Sequence, residues 1–270
     1  MTINLGILMD PIGDINIKKD SSFAMMLAAQ KKGWNVFYIE MPDLFLEQGL
    51  ARARVRRLSV VRDQNKWFEF LTDETVDLNE LDIILMRVDP PVDAEFIYAT
   101  HILERAANQG VLVVNRPQSL RDCNEKVFAT RFPELCPPNL ISSNISDLKN
   151  FYHRYGDVIV KPLDGMGGKG VFHLVPDELN VNAILEMLTG TGTIPIMMQV
   201  FIPEISAGDK RILLLHGEPI PWALARIPAG DDKVRGNLAA GGLGKVVPLQ
   251  ERDYFICNYL ANTLKKQGMS

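Results

Sequence analysis

Cysteine is scarce in this chain of 270 residues, and its three copies are far apart. Cys123, Cys136 and Cys257 are odd in number and widely spaced, so the sequence predicts neither a disulfide framework nor a metal knuckle. The four histidines show neither H-x-x-x-H nor H-E-x-x-H spacing, which disfavours a histidine metal site. This residue usage is typical of a protein of the reducing cytoplasm, which is the predicted location.

Long apolar runs and a strong net charge are also lacking. No apolar run approaches the roughly 18 residues that span a bilayer, and the amino terminus reaches Asp10 and Pro11 too early for a signal peptide. The formal net charge of -4 gives no reason to expect nucleic acid or a membrane as a partner. A local basic run, Arg52–Leu58, alternates with apolar residues, and we interpret it as a solvated strand face and not as an anion site.

Apolar strand patterns alternate with helical patterns in the first part of the chain, which predicts a parallel sheet. Helices are predicted from Ser21 to Gly33 and from Asp93 to Gln109, and an excursion at residues 44–78 is predicted to contain a hairpin at Arg52–Val61. The predicted strands of this sheet are Leu5–Met9, Val36–Ile39, Leu81–Met86 and Val111–Val114.

A charged pair follows one predicted strand of this sheet. Arg87 and Asp89 stand before Pro90-Pro91, a dipeptide that cannot continue the strand. The position fits a rigid structural loop and a substrate-binding loop equally well, because ligands of open α/β sheets bind at the carboxyl ends of strands.

Four glycines within six residues form the most distinctive stretch of the sequence. Gly165, Gly167, Gly168 and Gly170 follow the apolar run that ends at Lys161, and a second strand-like run follows them. A dinucleotide-binding turn would open a helix after its third glycine. The pattern therefore predicts a flexible hairpin that covers the phosphates of a nucleotide.

A second predicted hairpin, residues 209–226, carries two arginines. An antiparallel pairing brings Arg211 and Arg226 together, and they repel each other unless an anion lies between them. The following glycine-rich segment, with Arg235 and Asn237, fits either disorder or a lid that closes on a ligand. Together with Lys161 and the glycine hairpin, these residues form a set suited to handling phosphate.

Several common catalytic signatures are absent. The chain has no G-x-x-x-x-G-K-S/T run, which disfavours a P-loop NTPase. It also lacks the H-R-D-x-x-x-x-N and D-F-G motifs of protein kinases, and no Ser-His-Asp arrangement announces a hydrolase.

Several ungapped segments, taken in order, carry a resemblance to a known family: Met9–Pro11, Asn16–Phe23, Arg87–Pro91, Asn115–Lys126, Lys161–Gly168 and Arg235–Gly242. They resemble the bacterial glutathione synthetases of the ATP-grasp superfamily. The segments span almost the whole chain, which makes the resemblance more specific than any single glycine motif.

The resemblance implies an α/β fold that is α+β in its second half. A parallel-sheet pre-ATP-grasp domain, residues 1–122, would bind substrate and precede an ATP-grasp domain, residues 123–270, with antiparallel sheets. The latter would divide into a small central subdomain, about 135–202, and a remainder, 203–270.

The implied activity is the ATP-dependent joining of γ-glutamylcysteine to glycine through an acyl phosphate, with residue roles carried over by position. Arg211, Arg226 and Arg235 would stabilise the transferring phosphoryl group and shield the acyl phosphate. Peptide contacts would come from Asp10, Ser21, Arg87 and Asn237. The ATP site would comprise Lys126, Lys161, Gly165, Met166, Gly167, Gly168, Gln199, Val200, Phe201, Ile202 and Asp209.

The resemblance also implies Mg²⁺ or Mn²⁺ as a cofactor and a homo-oligomer, a tetramer in the family. The relatives hold the metal with residues that follow the final helix, beyond Ser270. We therefore expect a carboxyl-truncated ATP-grasp domain without its last strands and metal ligands, with weak nucleotide binding and without full ligase activity. Two alternatives stay open: another ATP-grasp carboxylate–amine ligase, and a catalytically impaired nucleotide-binding protein.

Overall fold

The computed structural model describes residues 2–228 and 242–269 and divides them into two units. The first unit comprises the described residues up to Arg121 together with Gln267–Met269. The second unit comprises the described part of Asp122–Lys266. No helix among the described residues combines the length and the apolar character that crossing a membrane requires.

The first unit is built on a seven-stranded mixed sheet in the order β3-β4-β2-β1-β6-β7, with β5 paired to β4. Strands β2, β1, β6 and β7 are parallel, and the pairs that involve β3, β4 and β5 are antiparallel. The strands are β1 (Asn4–Leu8), β2 (Asn35–Ile39), β3 (Leu44–Glu47), β4 (Leu50–Val60), β5 (Phe68–Asp77), β6 (Ile83–Met86) and β7 (Leu112–Val114).

Helices cover both faces of this sheet, so its central strands are apolar on both sides. Ile7 of β1 packs in a cluster with Phe23 of helix α1 (Ser21–Lys31). Leu8, which points the other way, packs in a cluster with Leu103 of helix α2 (Ala94–Asn108). The Asp20 and Asp93 carboxylates accept hydrogen bonds from the backbone amides of Phe23 and Phe96 and so cap the two helices. Helix α3 (Pro117–Asp122) follows β7 in the chain.

The predicted hairpin at Arg52–Val61 is wrong, because residues 52–60 lie within one continuous strand, β4. They contain no Gly, Pro, Asn or Asp; the turns lie outside, at Gln48-Gly49, where both residues have positive φ, and around Asp63. The arginines of the strand pair with acidic neighbours: Arg54 contacts Asp73 at 2.6 Å, and Arg56 contacts Asp43 at 2.7 Å. This pairing leaves little free positive charge for an external anion.

The second unit contains two antiparallel sheets. The four-stranded sheet has the order β10-β9-β11-β8, and the three-stranded sheet has the order β12-β13-β14. The strands are β8 (Asn139–Ser142), β9 (Val158–Pro162), β10 (Phe172–Leu174), β11 (Ile196–Val200), β12 (Asp209–Leu215), β13 (Glu218–Ile227) and β14 (Leu243–Pro248). The helices are α4 (Glu125–Ala129), α5 (Ile145–Tyr155), α6 (Val181–Thr189) and α7 (Glu251–Lys266).

The predicted fold class is confirmed: a sheet with a parallel core in the first half is followed by antiparallel sheets. The glycine hairpin is also confirmed as strand, loop and strand, since Phe172 of β10 pairs with Val160 of β9. Helices α5 and α6 contribute Leu148 and Leu185 to the apolar core on one face of the four-stranded sheet.

A matched pair of leucines tests this core. Leu185 is 0% exposed and Leu179 is 95% exposed. We expect Leu185→Ala to lower the free energy of unfolding by about 2–5 kcal/mol, because it leaves a cavity in a packed core. Leu179→Ala serves as the control and should change it by less than about 0.5 kcal/mol. Urea unfolding followed by circular dichroism measures both changes, and equal midpoints for the two variants would show that the core is placed wrongly.

Candidate functional site

The four-stranded sheet has one apolar face and one face that lines a cavity of about 560 Å³. Side chains alternate along β9: Val158 and Val160 are fully buried in the core, whereas Ile159 and Lys161 line the cavity. On the neighbouring strand β11, Met197 lines the cavity in the same way. The strand that builds the core therefore also sets the floor of the cavity.

Positive charge dominates the lining of this cavity. Glu125 is the only carboxylate among the described residues that line it, against five cationic side chains. Such an excess of one sign in a cleft attracts an anion with several negative charges. The cationic residues are Lys126, Lys161, Lys169, Arg211 and Arg226.

Lys161 lines the cavity and has a lowered pKa. Its ammonium group donates a hydrogen bond of 2.6 Å to Oε1 of Gln199. Burial, and secondarily the charge of Lys126, lowers the pKa of Lys161 below the ordinary lysine value. A buried ammonium group that meets a neutral amide and a second cation would be stabilised by an anionic ligand.

Lys126 is anchored to the glycine loop by its own ammonium group. This group donates to the carbonyl oxygens of Gly165 at 2.9 Å and Leu163 at 3.1 Å, and it also contacts the exposed Glu125 carboxylate at 2.7 Å. Asn124 caps α4, which carries Lys126, and also donates to the carbonyl oxygen of Leu163. Lys126 therefore lies beside Lys161 at the cavity, although the two residues are far apart in sequence.

The glycine loop requires glycine at specific positions. Gly167 and Gly168 have φ values of 66° and 84°, in the region that side chains with a Cβ atom rarely adopt. A Cβ atom at Gly165 would come within 2.9 Å of the Pro162 ring. All three glycines and Met166 line the cavity, so backbone amides of this loop are within reach of a bound anion.

The arginine hairpin forms, but its pairing differs from the prediction. Arg226 stands opposite Asp209, and Arg211 stands opposite Leu224. The Asp209 carboxylate accepts two hydrogen bonds from Arg226, at 2.6 and 2.7 Å. A residue of the same hairpin, Asp209, therefore supplies an anionic partner for Arg226. Both arginines still line the cavity.

The end of β11 forms the apolar part of the cavity. Gln199, Phe201 and Ile202 line it, whereas Val200 does not, because alternation turns its side chain to the other face of the sheet. Met197 lies opposite Lys161, and Phe201 follows it four steps later along extended chain, a backbone distance of about 13 Å. The cavity thus has a cationic end and an aromatic end.

Three predicted peptide-binding residues come together in the first unit. Arg87 donates to the hydroxyl oxygens of Ser21 at 2.9 Å and Ser22 at 3.2 Å. The carboxylate of Asp10 accepts from the backbone amide of Asp89 at 2.8 Å. These contacts join the residues that follow β1 and β6, which are adjacent parallel strands. The other predicted residues, Arg235 and Asn237, lie outside the described residues.

Sequence reasoning missed several residues of the cavity. Ile159 and Met197 belong to apolar runs whose alternation is hidden, because every second apolar side chain lines the cavity and does not join the core. Cys136 precedes β8 and Asn139 begins it, and neither residue belongs to a sequence motif. Burial raises the pKa of the Cys136 thiol, which keeps it neutral at ordinary pH.

The described residues do not form a metal centre of their own. Within residues 2–228 and 242–269, no three His, Cys, Asp or Glu side chains lie close enough together to hold a metal ion. Two carboxylates pair with cations of the cavity lining: Glu125 with Lys126, and Asp209 with Arg226. These residues therefore do not fit a divalent cation without further ligands.

Family models built from known proteins match both units of the chain, and both models describe the same family. The prokaryotic glutathione synthetase N-terminal domain matches residues 3–121, and the ATP-grasp domain of the same family matches residues 125–270. Glutathione synthetase from Vibrio vulnificus is 55% identical over 269 residues, which are 100% of this chain and 84% of that protein. The enzyme from Photorhabdus laumondii is 54% identical over 267 residues, which are 99% of this chain and 84% of its own length.

A solved structure supports the same fold at much lower sequence identity. The crystal structure of D-cycloserine synthetase DcsG is similar with a TM-score of 0.66 and 12% identity, covering 98% of this chain and 82% of that one. The family matches to both units and the identity to the Vibrio vulnificus enzyme show that the chain belongs to the prokaryotic glutathione synthetase family, with an ATP-grasp domain in its second half.

Proposed function

We propose that this chain catalyses the ATP-dependent joining of γ-glutamylcysteine to glycine and that the cavity of the second unit holds the nucleotide. The observation that carries the proposal is the charge of this cavity, which has five cationic side chains and one carboxylate in its described lining. A polyphosphate matches this charge, and the apolar end of the cavity at Phe201 suits a purine base.

In the proposed arrangement, Lys161 and Lys126 hold the phosphates together with backbone amides of the glycine loop. A volume of about 560 Å³ is in the usual range of small-ligand sites. ATP supplies the phosphoryl group that activates the peptide carboxylate. Gln199 orients Lys161, and the pairing of Lys126 with loop carbonyls keeps the loop against the cavity.

The ligation needs two displacements. An oxygen of the cysteinyl carboxylate bonds to the γ-phosphorus, and the bond to the bridging oxygen of ADP breaks. The amine nitrogen of glycine then bonds to the acyl carbon, phosphate leaves, and the nitrogen loses a proton. Arg211 and Arg226 are proposed to stabilise the charge on the transferring group, and the family resemblance alone supports the same role for Arg235. Asp209 fixes Arg226 through two hydrogen bonds and so acts on the nucleotide site through that arginine.

The peptide is proposed to bind at the loops that follow β1 and β6. Arg87 is partly buried, and among the described residues its guanidinium group bonds to hydroxyl groups, so it keeps donors and charge for a substrate carboxylate. Asp10 and Ser21 are proposed to complete this site, and the family resemblance alone supports Asn237 as a further peptide-binding residue. In this division of roles, residues 1–122 bind the peptide and residues 123–270 bind ATP.

Further parts of the proposal rest on the family. The family uses ATP with a divalent metal, and we propose Mg²⁺ or Mn²⁺; we assign no described residue to it. A cytoplasmic location agrees with the three cysteines, none of which forms a disulfide. A homo-oligomer, with the family tetramer as the expected form, can be measured by light scattering of the purified chain.

Exchange of one lysine tests the nucleotide site. We expect Lys161→Met to weaken ATP binding about 10- to 100-fold, because it removes a charge-assisted hydrogen bond. Lys149→Met, a lysine exchange outside the cavity lining, is the matched control and should change binding less than twofold. Isothermal calorimetry with ATP and Mg²⁺ measures both. Equal ATP affinities of the two variants would show that ATP does not bind in this cavity.

Calorimetry of the same chain also separates a ligase from a protein that only binds nucleotides. A ligase should bind γ-glutamylcysteine in a manner coupled to ATP and release phosphate when glycine is added, whereas a pure nucleotide binder should ignore the peptide. The reduced turnover expected from the sequence stays a prediction, which the phosphate-release assay tests.

Exchange of one arginine tests the peptide site. We expect Arg87→Met to weaken γ-glutamylcysteine binding about 10-fold or more, since a carboxylate loses its guanidinium partner. ATP affinity should stay unchanged. The control is Arg105→Met, which alters an exposed arginine of α2. If Arg87→Met and Arg105→Met bind the peptide equally well, Arg87 does not contact the substrate.

A further inference from the structure

A histidine outside the cavity lies directly against its aromatic end. His173 of β10 pairs across the sheet with Ile159 of β9, which in turn pairs with Gln199 of β11. Ile159 and Gln199 both line the cavity, so the His173 side chain is on the same face of the sheet. His173 itself does not line the cavity.

The ring of His173 stacks on the ring of Phe201, which does line the cavity. Their ring centroids are 4.1 Å apart, and the ring planes differ by 30°. The two rings are therefore stacked and in direct contact. One side of the Phe201 ring is thereby supported from outside the cavity by a flat partner.

Asp157 ties this pair together through two different groups. Its carboxylate Oδ1 accepts a hydrogen bond of 2.6 Å from Nε2 of His173, which must carry the proton because a carboxylate only accepts. Its backbone carbonyl oxygen accepts a hydrogen bond of 3.0 Å from the amide of Phe201. One residue therefore fixes both the backbone of Phe201 and the ring that stacks on it.

A gain in stability does not account for the contact between His173 and Asp157. The side chains of His173 and Asp157 are 23% and 48% exposed, and a polar contact with this much solvent access adds little stability. The result of the contacts is instead a fixed orientation of the Phe201 ring at the cavity. A ring that is fixed before binding loses less conformational freedom when a ligand stacks on it.

We propose that His173, held by Asp157, is a positioning residue that presents the Phe201 ring for stacking on a purine base in the cavity. This inference rests on the proposed function, since it assumes that the nucleotide occupies the cavity. The two residues act on the base end of the ligand and leave the phosphate end, at Lys126 and Lys161, unaffected.

The test compares a ligand with a base and a ligand without one. ADP and inorganic triphosphate are titrated separately into the full chain and into His173→Ala. We expect His173→Ala to weaken ADP binding about two- to tenfold, the range that aromatic stacking supplies, and to leave triphosphate binding unchanged. His173→Phe keeps a ring against Phe201 and should restore part of the ADP affinity. Thermal unfolding checks that both variants are folded.

The other outcomes overturn the proposal in distinguishable ways. If His173→Ala weakens both ligands equally, the residue supports the cavity in general and does not position Phe201. If it changes neither while Lys161→Met weakens both, the nucleotide site stands and His173 has no part in it. If Lys161→Met also changes neither, the proposed nucleotide site fails and this inference fails with it.

Discussion

Lys161 carries its charge at the end of a buried strand, where its ammonium group meets the amide oxygen of Gln199. Among the described residues no carboxylate pairs with it, and Lys126 adds a second positive charge nearby. Removing an ammonium group from water is costly unless an anion or strong acceptors replace the water. The cavity is therefore best stabilised when a polyanion fills it, and the glycine loop, Lys126 and the arginines of the second hairpin are arranged around that requirement.

The same strands that create this requirement also hold the unit together. Val158 and Val160 lie in the apolar core, and the residues between and after them, Ile159 and Lys161, line the cavity. A shift of β9 by one residue would exchange core and cavity side chains. The packing of α5 and α6 on the core face thus fixes the register that places Lys161 in the cavity.

Local patterns predicted much of this arrangement, and long-range pairing accounts for the rest. The glycine hairpin and Lys161 are contiguous in sequence, so their relation is visible there. Lys126 contacts Gly165, 39 residues away, and only the resemblance to a family indicated its role. The two arginines of the second hairpin were expected to face each other, but the register pairs Arg226 with Asp209, a detail that depends on the turn and that residue types do not fix.

The number of protons taken up on nucleotide binding tests most directly whether bound phosphates contact the ammonium group of Lys161. Burial and Lys126 lower the pKa of Lys161, and bound phosphates should raise it again because they favour the ammonium form. At alkaline pH, between the lowered pKa and the ordinary lysine pKa, ADP binding should therefore take up protons. Calorimetry at alkaline pH in buffers of different ionisation enthalpy measures this number. We predict uptake in the unaltered chain and in Lys149→Met, and its loss in Lys161→Met; equal uptake in all three would contradict the account.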